Sequence, residues 1–458
     1  MSKMRLAIVG AGPAGIYAAD LLLKAERDFE VEIDLFEQLP APYGLVRYGV
    51  SPDHPRIKGI ITALREVLDS GDIRYFGNVR YGEDITLADL KKHYHAVIFA
   101  TGAIRDASLD IPGIDAEGSY GAADFVSWFD GHPDVPRTWP LEAREVGVVG
   151  NGNVALDISR MLIKHADDLL PTEIPDNVYA GLKQNPIEEL HLFGRRGPKY
   201  VKFTPLELRE LGEVRDVDMV VDERDFDVDD AYADETLSKN KQVVVMTRIM
   251  DKWRAEQQQR EAGEVEPASR RLHLHFWSKP VEVVVEDGRV AGLRVERTAP
   301  DGQGGVIDTG EFEVIPMQSL YRAVGYFGSP LDEIPFDDAR GVIPNAQGRV
   351  QDLEGEQIPG VYATGWIKRG PVGLIGHTKS DAMETLECLM EDRANWWRPE
   401  APEAEAIPEL LHAREVPYTT IEGWHRLDDH ELGLGEQAGR TRVKVVPRDE
   451  MTRIARAE

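Results

Sequence analysis

The stretch Leu6-Ala7-Ile8-Val9-Gly10-Ala11-Gly12-Pro13-Ala14-Gly15 decides the fold. An apolar strand runs into Gly-x-Gly-x-x-Gly, and a helix pattern, Ile16–Lys24, follows it. Glycine is needed where the strand turns, where backbone must approach a pyrophosphate, and where helix packs on strand. The helix start adds free N–H groups and a positive dipole end. A second strand, Val31–Phe36, ends at Glu37, whose carboxylate can accept ribose hydroxyls and would repel a 2′-phosphate. The first loop, with Gly10, Gly12 and Gly15, therefore predicts FAD or NAD.

Working outward, the pattern recurs. Strand Val146–Val149 leads into Gly150-Asn151-Gly152-Asn153-Val154-Ala155 and a helix over Val154–Ile163. The next strand, Glu189–Phe193, ends not in an acid but in Gly194-Arg195-Arg196-Gly197. Guanidinium forks suit a 2′-phosphate, so this loop predicts NADP. Two such loops give an α/β chain with two Rossmann-like dinucleotide folds and a flavin reduced by a nicotinamide cofactor.

Composition narrows the chemistry. With 458 residues the chain exceeds one ordinary core. A single cysteine, Cys388, excludes an internal disulfide, a Cys-x-x-Cys pair and a thiolate-held iron–sulfur cluster, so any such cluster belongs to a partner. A net charge of −28 argues against nucleic acid or anionic lipid as partners. No apolar run is long enough for a membrane span and no secretory signal precedes Met4, which together suggest a cytoplasmic protein. No His/Cys/carboxylate spacing suggests a metal. The acid-rich run 213–235 reads as a solvated surface excursion. From Arg271 onward, the runs Leu272–Phe276, Val281–Val285 and Val290–Val295 read as an antiparallel meander. Residues 399–409 read as a loop before a C-terminal extension.

Longer motifs carry a resemblance. Tyr43-Gly44-Leu45-Val46-Arg47, Pro52-Asp53-His54-Pro55, the second glycine loop through Asp157, Gly194–Pro198, Gly365-Trp366-Ile367-Lys368-Arg369-Gly370-Pro371, and Trp424, Asp428, Gly439-Arg440, Arg442 and Lys444 occur in order across nearly the whole chain. Together they resemble the adrenodoxin reductase family of ferredoxin–NADP reductases. The resemblance implies a discontinuous FAD domain (1–106 and 325–458) with an NADP domain (107–324) inserted into it. It implies flavin contacts at Ala14, Glu37, Leu45, Val79, Trp366, Gly373, Leu374 and Ile375. It implies nicotinamide-cofactor contacts at Asn151, Gly152, Asn153, Val154, Arg195, Arg196, Glu207 and Gly373. His54, Asp157 and Glu210 would form a proton network, with His54 handling the flavin's protons. The chain departs from the family at Ala107, where an arginine is common; Arg105 is the candidate substitute.

The implied activity passes electrons from NADPH through FAD to a ferredoxin-type iron–sulfur protein, reversibly, with docking at Arg248, Lys252 and Arg254. Arg209, Arg270 and Arg271 are further docking candidates. Two alternatives stay open: an NADPH-dependent flavoprotein with another acceptor (monooxygenase or diaphorase), and a noncatalytic flavin- or NADP-binding regulator.

Overall fold

In the computed structural model, which describes residues 3–232, 239–303, 305–372 and 377–458, the two glycine loops open two separate sheets. The first has seven strands. Strand Lys3–Val9 is central and pairs in parallel with Glu30–Glu37 on one side and Ala96–Phe99 on the other. Ile73–Gly77 extends one edge, and Gln357–Ala363 joins Ala96–Phe99 in parallel at the other. This return of the chain, some 260 residues after Ala96–Phe99 by numbering, carries Thr364-Gly365 to the same sheet end as the first glycine loop.

The second sheet has six strands, all parallel, built from residues 119–322. Its central pair is Glu145–Val149 and Glu189–Phe193. Between the sheets, Arg105–Asp106 pairs antiparallel with Tyr326–Phe327, so the outgoing and returning chains cross side by side.

Three expectations are corrected. The strand Arg270–His275 is not part of the meander: it lies parallel between Glu189–Phe193 and Val217–Val221 in the second sheet. Only Ser278–Glu286, Arg289–Pro300 and Val306–Pro316 form the antiparallel unit. Nor is the acid-rich run a surface excursion throughout. Val217–Val221 is a sheet strand whose Met219 and Val221 enter the core, and Asp225 is buried against Arg297 at 2.8 Å. Asp218 within that strand, with Asp216 and Asp222 just outside it, disguised a period of two. Asp234 and Glu235 lie outside the described residues. Part of the stretch read as a loop at 399–409 is helical, beginning at Ala406.

The C-terminal extension, helices Ile421–Ala438 and Arg448–Arg456, is held to both units by buried ion pairs. Arg47 meets Glu431 at 2.6 Å; Arg442 meets Asp428 and Glu431, each at 2.7 Å; Lys444 meets Glu173 at 2.9 Å, and Lys58 pairs with Glu173 as well. The Arg47 guanidinium also lies 5.1 Å from the Trp424 ring, whose indole N–H donates to the Tyr43 hydroxyl at 3.3 Å.

Candidate functional site

Gly10 has φ +109°, and a Cβ there would overlap the Ala100 carbonyl; one at Gly15 would overlap the Gly10 carbonyl. These two glycines are thus required by the turn and by helix packing, while Gly12, which caps helix Pro13–Lys24, leaves space above the helix start. Glu37 is buried. Its Oε2 accepts from the Ala11 N–H at 2.9 Å and its Oε1 from the Leu39 N–H at 3.0 Å. Burial raises its pKa, and the two backbone donors work against that rise. A carboxylate has about four acceptor positions, so room remains for ribose hydroxyls. Val79 is buried beside it and donates its N–H to the Glu37 carbonyl at 2.9 Å. Leu45 begins a short helix after Gly44, which is pressed against Gly12. From the returning chain, Gly365 packs against Ala14, with its N–H on Asp381 at 2.5 Å, and half-buried Trp366 follows. The structure therefore gathers Gly10, Gly12, Ala14, Gly15, Glu37, Leu45, Val79 and Trp366 around one loop. Gly373, Leu374 and Ile375 lie outside the described residues.

The second loop is built alike. A Cβ on Gly150 would overlap the Ala323 carbonyl, whereas Gly152, at the start of helix Asn153–Ile163, has nothing within 4 Å. Asn153 Oδ1 accepts from the Thr204 N–H at 3.0 Å, and the Asn151 carbonyl accepts from the Lys202 N–H at 3.0 Å, fastening the loop to the segment before helix Pro205–Gly212. Val154 packs on the core. Arg195 and Arg196 are held by their backbones, through Thr298 Oγ1 at 2.8 Å and the Trp277 N–H at 3.3 Å. Among the described residues neither guanidinium has a carboxylate partner, and Arg195 is exposed. Two unneutralised forks beside an open helix start fit a 2′-phosphorylated dinucleotide. Arg105, the candidate substitute at the departure, lies over the Phe336 ring at 5.8 Å.

Between the loops sits His54, buried at the start of a short helix. Its Nε2 is 2.9 Å from both Asp157 Oδ1 and Glu207 Oε2, and its Nδ1 is 2.9 Å from Glu210 Oε2. Glu207, grouped by the sequence with the dinucleotide contacts, also stands against His54, beside Asp157 and Glu210. Sequence missed the hub. Arg160 is buried, with Nε 2.8 Å and Nη2 3.0 Å from Asp53, Nη2 2.7 Å from Asp157, and Nη1 3.5 Å from Glu207. Lys164 adds a second cation on Asp53 at 2.7 Å.

Two influences on His54 conflict. Arg160 Nη2 is 2.6 Å from His54 Nε2, a contact suited to a neutral ring. Burial also opposes charge, but hydrogen bonds to Asp157 and Glu207 outweigh it and push the imidazole up to about 10. The carboxylates decide the outcome because two of them flank one ring nitrogen while the Arg160 charge is already shared with Asp53. Glu210 is displaced upward, chiefly by burial, and its Oε2 makes no hydrogen bond among the described residues. Glu210 is thus the carboxylate of the cluster disposed to take a proton.

The expected docking arginines are less uniform. Arg254 is engaged by Glu223 and by Asp251 at 3.0 Å, and Lys252 by Glu256 at 3.4 Å. Arg270 donates to the Ile163 carbonyl and Arg271 pairs with Glu189. Arg248 and Arg209 are exposed and, among the described residues, without a carboxylate partner.

Comparison with known proteins follows the same lines. The family model for pyridine nucleotide-disulphide oxidoreductases matches residues 4–189. The chain is 38% identical over 473 residues to the NADPH-ferredoxin reductase FprA of Mycobacterium tuberculosis, covering 99% of each. The chain belongs to the adrenodoxin reductase family of ferredoxin–NADP reductases. Human mitochondrial NADPH:adrenodoxin oxidoreductase is 35% identical over 460 residues, covering 98% of this chain and 91% of that one. The solved structure of Mycobacterium tuberculosis FprA in complex with NADPH superposes with a TM-score of 0.87 at 37% identity, covering 99% of both. Membership in the adrenodoxin reductase family accounts for the two dinucleotide folds and for the return of the chain to the first sheet. Among the described residues no helix is long and apolar enough to cross a membrane.

Proposed function

We propose that the chain is an NADPH–ferredoxin reductase, which binds FAD on the first glycine loop and NADP(H) on the second and delivers electrons to a ferredoxin-type iron–sulfur protein. The observation that carries this reading is the contrast between the two loops: buried Glu37 closes the first, and Arg195 and Arg196, without a carboxylate partner among the described residues, close the second. The acceptor is supported by the full-length relatives, NADPH-ferredoxin reductase and NADPH:adrenodoxin oxidoreductase. We place the domain boundaries at 1–106, 107–324 and 325–458, near the paired crossing Arg105–Asp106 and Tyr326–Phe327.

Bound FAD supplies the conversion of a two-electron hydride into single electrons. The chain's own residues position and protonate. Gly10, Gly12, Ala14, Gly15, Glu37, Leu45, Val79 and Trp366 hold the flavin dinucleotide, with Gly373, Leu374 and Ile375 as further expected contacts. Asn151, Gly152, Asn153 and Val154 receive the nicotinamide pyrophosphate, and Arg195 and Arg196 its 2′-phosphate. Hydride transfer needs close stacking rather than a strong acid or base, so orientation dominates the barrier.

His54 holds protons at both Nδ1 and Nε2 through the neutral range, since its pKa is pushed up to about 10. It therefore acts as a proton store backed by Asp157, Glu207 and Glu210. Exchange with Glu210, whose Oε2 stands 2.9 Å from Nδ1 but out of line for a hydrogen bond, needs a small turn of either side chain and keeps the charge of the cluster constant while a proton moves. Ferredoxins are generally acidic, so docking onto this acidic chain needs a local basic patch. Arg248 and Arg209 serve this best, Lys252 and Arg254 being partly neutralised by their neighbours. Localisation in the cytoplasm is part of the same proposal. The reading is tested by adding NADPH anaerobically and following reoxidation by ferredoxin: bleaching without reoxidation by any ferredoxin would favour a diaphorase or monooxygenase.

A further inference from the structure

Outside the His54 cluster, a second group of titratable side chains stands on the NADP sheet. Strands Glu189–Phe193 and Arg270–His275 are parallel neighbours, registered so that His191 lies opposite His273, and Phe193 opposite His275. Side chains alternate across a sheet, so His191, His273 and His275 share one face, while Leu190, Leu192, Leu272 and Leu274 fill the core on the other. His191 Nδ1 is 2.9 Å from His275 Nε2, and one nitrogen from each of the three rings lies within 4.8 Å of the others. His273 Nε2 is 2.6 Å from Glu189 Oε2, and the other Glu189 oxygen is tied to Arg271. All three imidazoles are half-buried, and none has a role in the site above.

We propose that His191, His273 and His275 form a binding site for one borderline divalent transition-metal ion, Zn²⁺ or Cu²⁺, with Glu189 orienting His273 from outside the ligand set. Imidazole suits these metals, whereas Mg²⁺ and Ca²⁺ demand oxygen ligands, which the trio does not provide. Metal–nitrogen bonds of about 2.0–2.1 Å place tetrahedral ligand nitrogens roughly 3.3 Å apart. The pair at 2.9 Å opens by a few tenths of an ångström, and His273, whose Nε2 is taken by Glu189, ligates through Nδ1. A histidine held by a carboxylate is the usual outer support of such sites, fixing ring orientation and raising ligand basicity. The competing account is packing alone, since the His191 and His273 rings stack at 4.6 Å and 17°. Stacking explains the ring planes; it does not require three nitrogens to gather with a carboxylate behind one of them.

The test uses the flavin-loaded enzyme, stripped of metal with a chelator and dialysed. It is titrated with Cu²⁺ under electron paramagnetic resonance and with Zn²⁺ by calorimetry. The expected result is one ion per chain, with nitrogen hyperfine splitting for copper and a single calorimetric phase for zinc. The His191→Asn/His273→Asn double variant loses that phase, and Glu189→Gln weakens it by about 10- to 100-fold. His54→Gln keeps it, which separates this trio from the His54, Asp157 and Glu207 group. NADPH–ferricyanide activity of the double variant stays at the wild-type level. If that variant does not fold, His273→Asn alone, at a side chain 23% exposed, gives the same reading. No one-ion phase in the wild type, equal binding in the histidine variants, or loss confined to His54→Gln would each overturn the proposal.

Discussion

Glu207→Gln probes the His54 cluster with the least change of shape. The wild-type carboxylate is buried, 2.9 Å from His54 Nε2 and 3.5 Å from Arg160 Nη1. Glutamine retains the volume and a carbonyl acceptor but removes the charge. A hydrogen bond to a charged group contributes about 1.5–3 kcal/mol, which corresponds to roughly one to two pKa units. The His54 transition, near 10 in the wild type, should fall by that amount, because Asp157 remains as its other partner. The stability effect has a definite sign. A raised histidine pKa gives stabilisation that is full below the unfolded value of about 6.5 and is lost as pH rises through about 10. Glu207→Gln should therefore destabilise by about 1.5–3 kcal/mol at pH 6, and the difference from wild type should shrink as pH passes 10. Histidine-selective ¹⁵N spectra across pH 5–11, paired with urea unfolding at pH 6 and 10, measure both quantities. A His54 transition that stays near 10 or moves upward would refute the assignment of Glu207 as its charge partner.

Other substitutions address the remaining parts. Arg196→Ala should raise the NADPH Michaelis constant by about 10- to 100-fold, the loss of one charge-assisted contact, and leave NADH kinetics unchanged; an equal change for both cofactors would contradict the 2′-phosphate role. Asp53→Asn strips Arg160 and Lys164 of a shared buried partner and should cost about 3–5 kcal/mol in chemical unfolding. Those two cations hold the Asp53 pKa well below the usual carboxylate range against the opposing pull of burial, so its stabilisation is present above pH 4 and fades as the wild type is acidified. The Asp53→Asn deficit should thus narrow at low pH. Glu431→Ala, which removes the fully buried partner of Arg47 and Arg442, should lower stability by a similar amount and loosen the C-terminal helices in hydrogen exchange. Arg248→Glu should raise the Michaelis constant for ferredoxin on the order of tenfold at low salt, with the effect shrinking at high salt; a salt-independent effect would argue against docking at Arg248.

Sequence made the two glycine loops legible because backbone geometry leaves so few residue types at Gly10, Gly15 and Gly150. Glu37, Arg195 and Arg196 were readable for a related reason: each sits at a strand end fixed by the loop before it. Longer-range features were not. Arg160 follows Asp157 by one helical turn and carries no motif of its own; only folding brings Asp53 to its guanidinium. The contact of Glu207 with His54 carried no sequence signal of its own; it depends on where the helix starting at Pro205 packs. Arg270–His275 looked like a meander strand since alternation reads the same in parallel and antiparallel pairs. Asp225 was lost in a crowd of acids, although Arg297 and the Phe276 N–H hold its carboxylate in the core.

Anaerobic stopped-flow spectroscopy of the flavin-loaded protein tests the central claim most directly. NADPH should bleach the flavin band rapidly, NADH far more slowly, and subsequent mixing with oxidised ferredoxin should restore the band as the iron–sulfur protein becomes reduced. Comparable bleaching by NADH, or a flavin that stays reduced in the presence of every ferredoxin tried, would contradict the account.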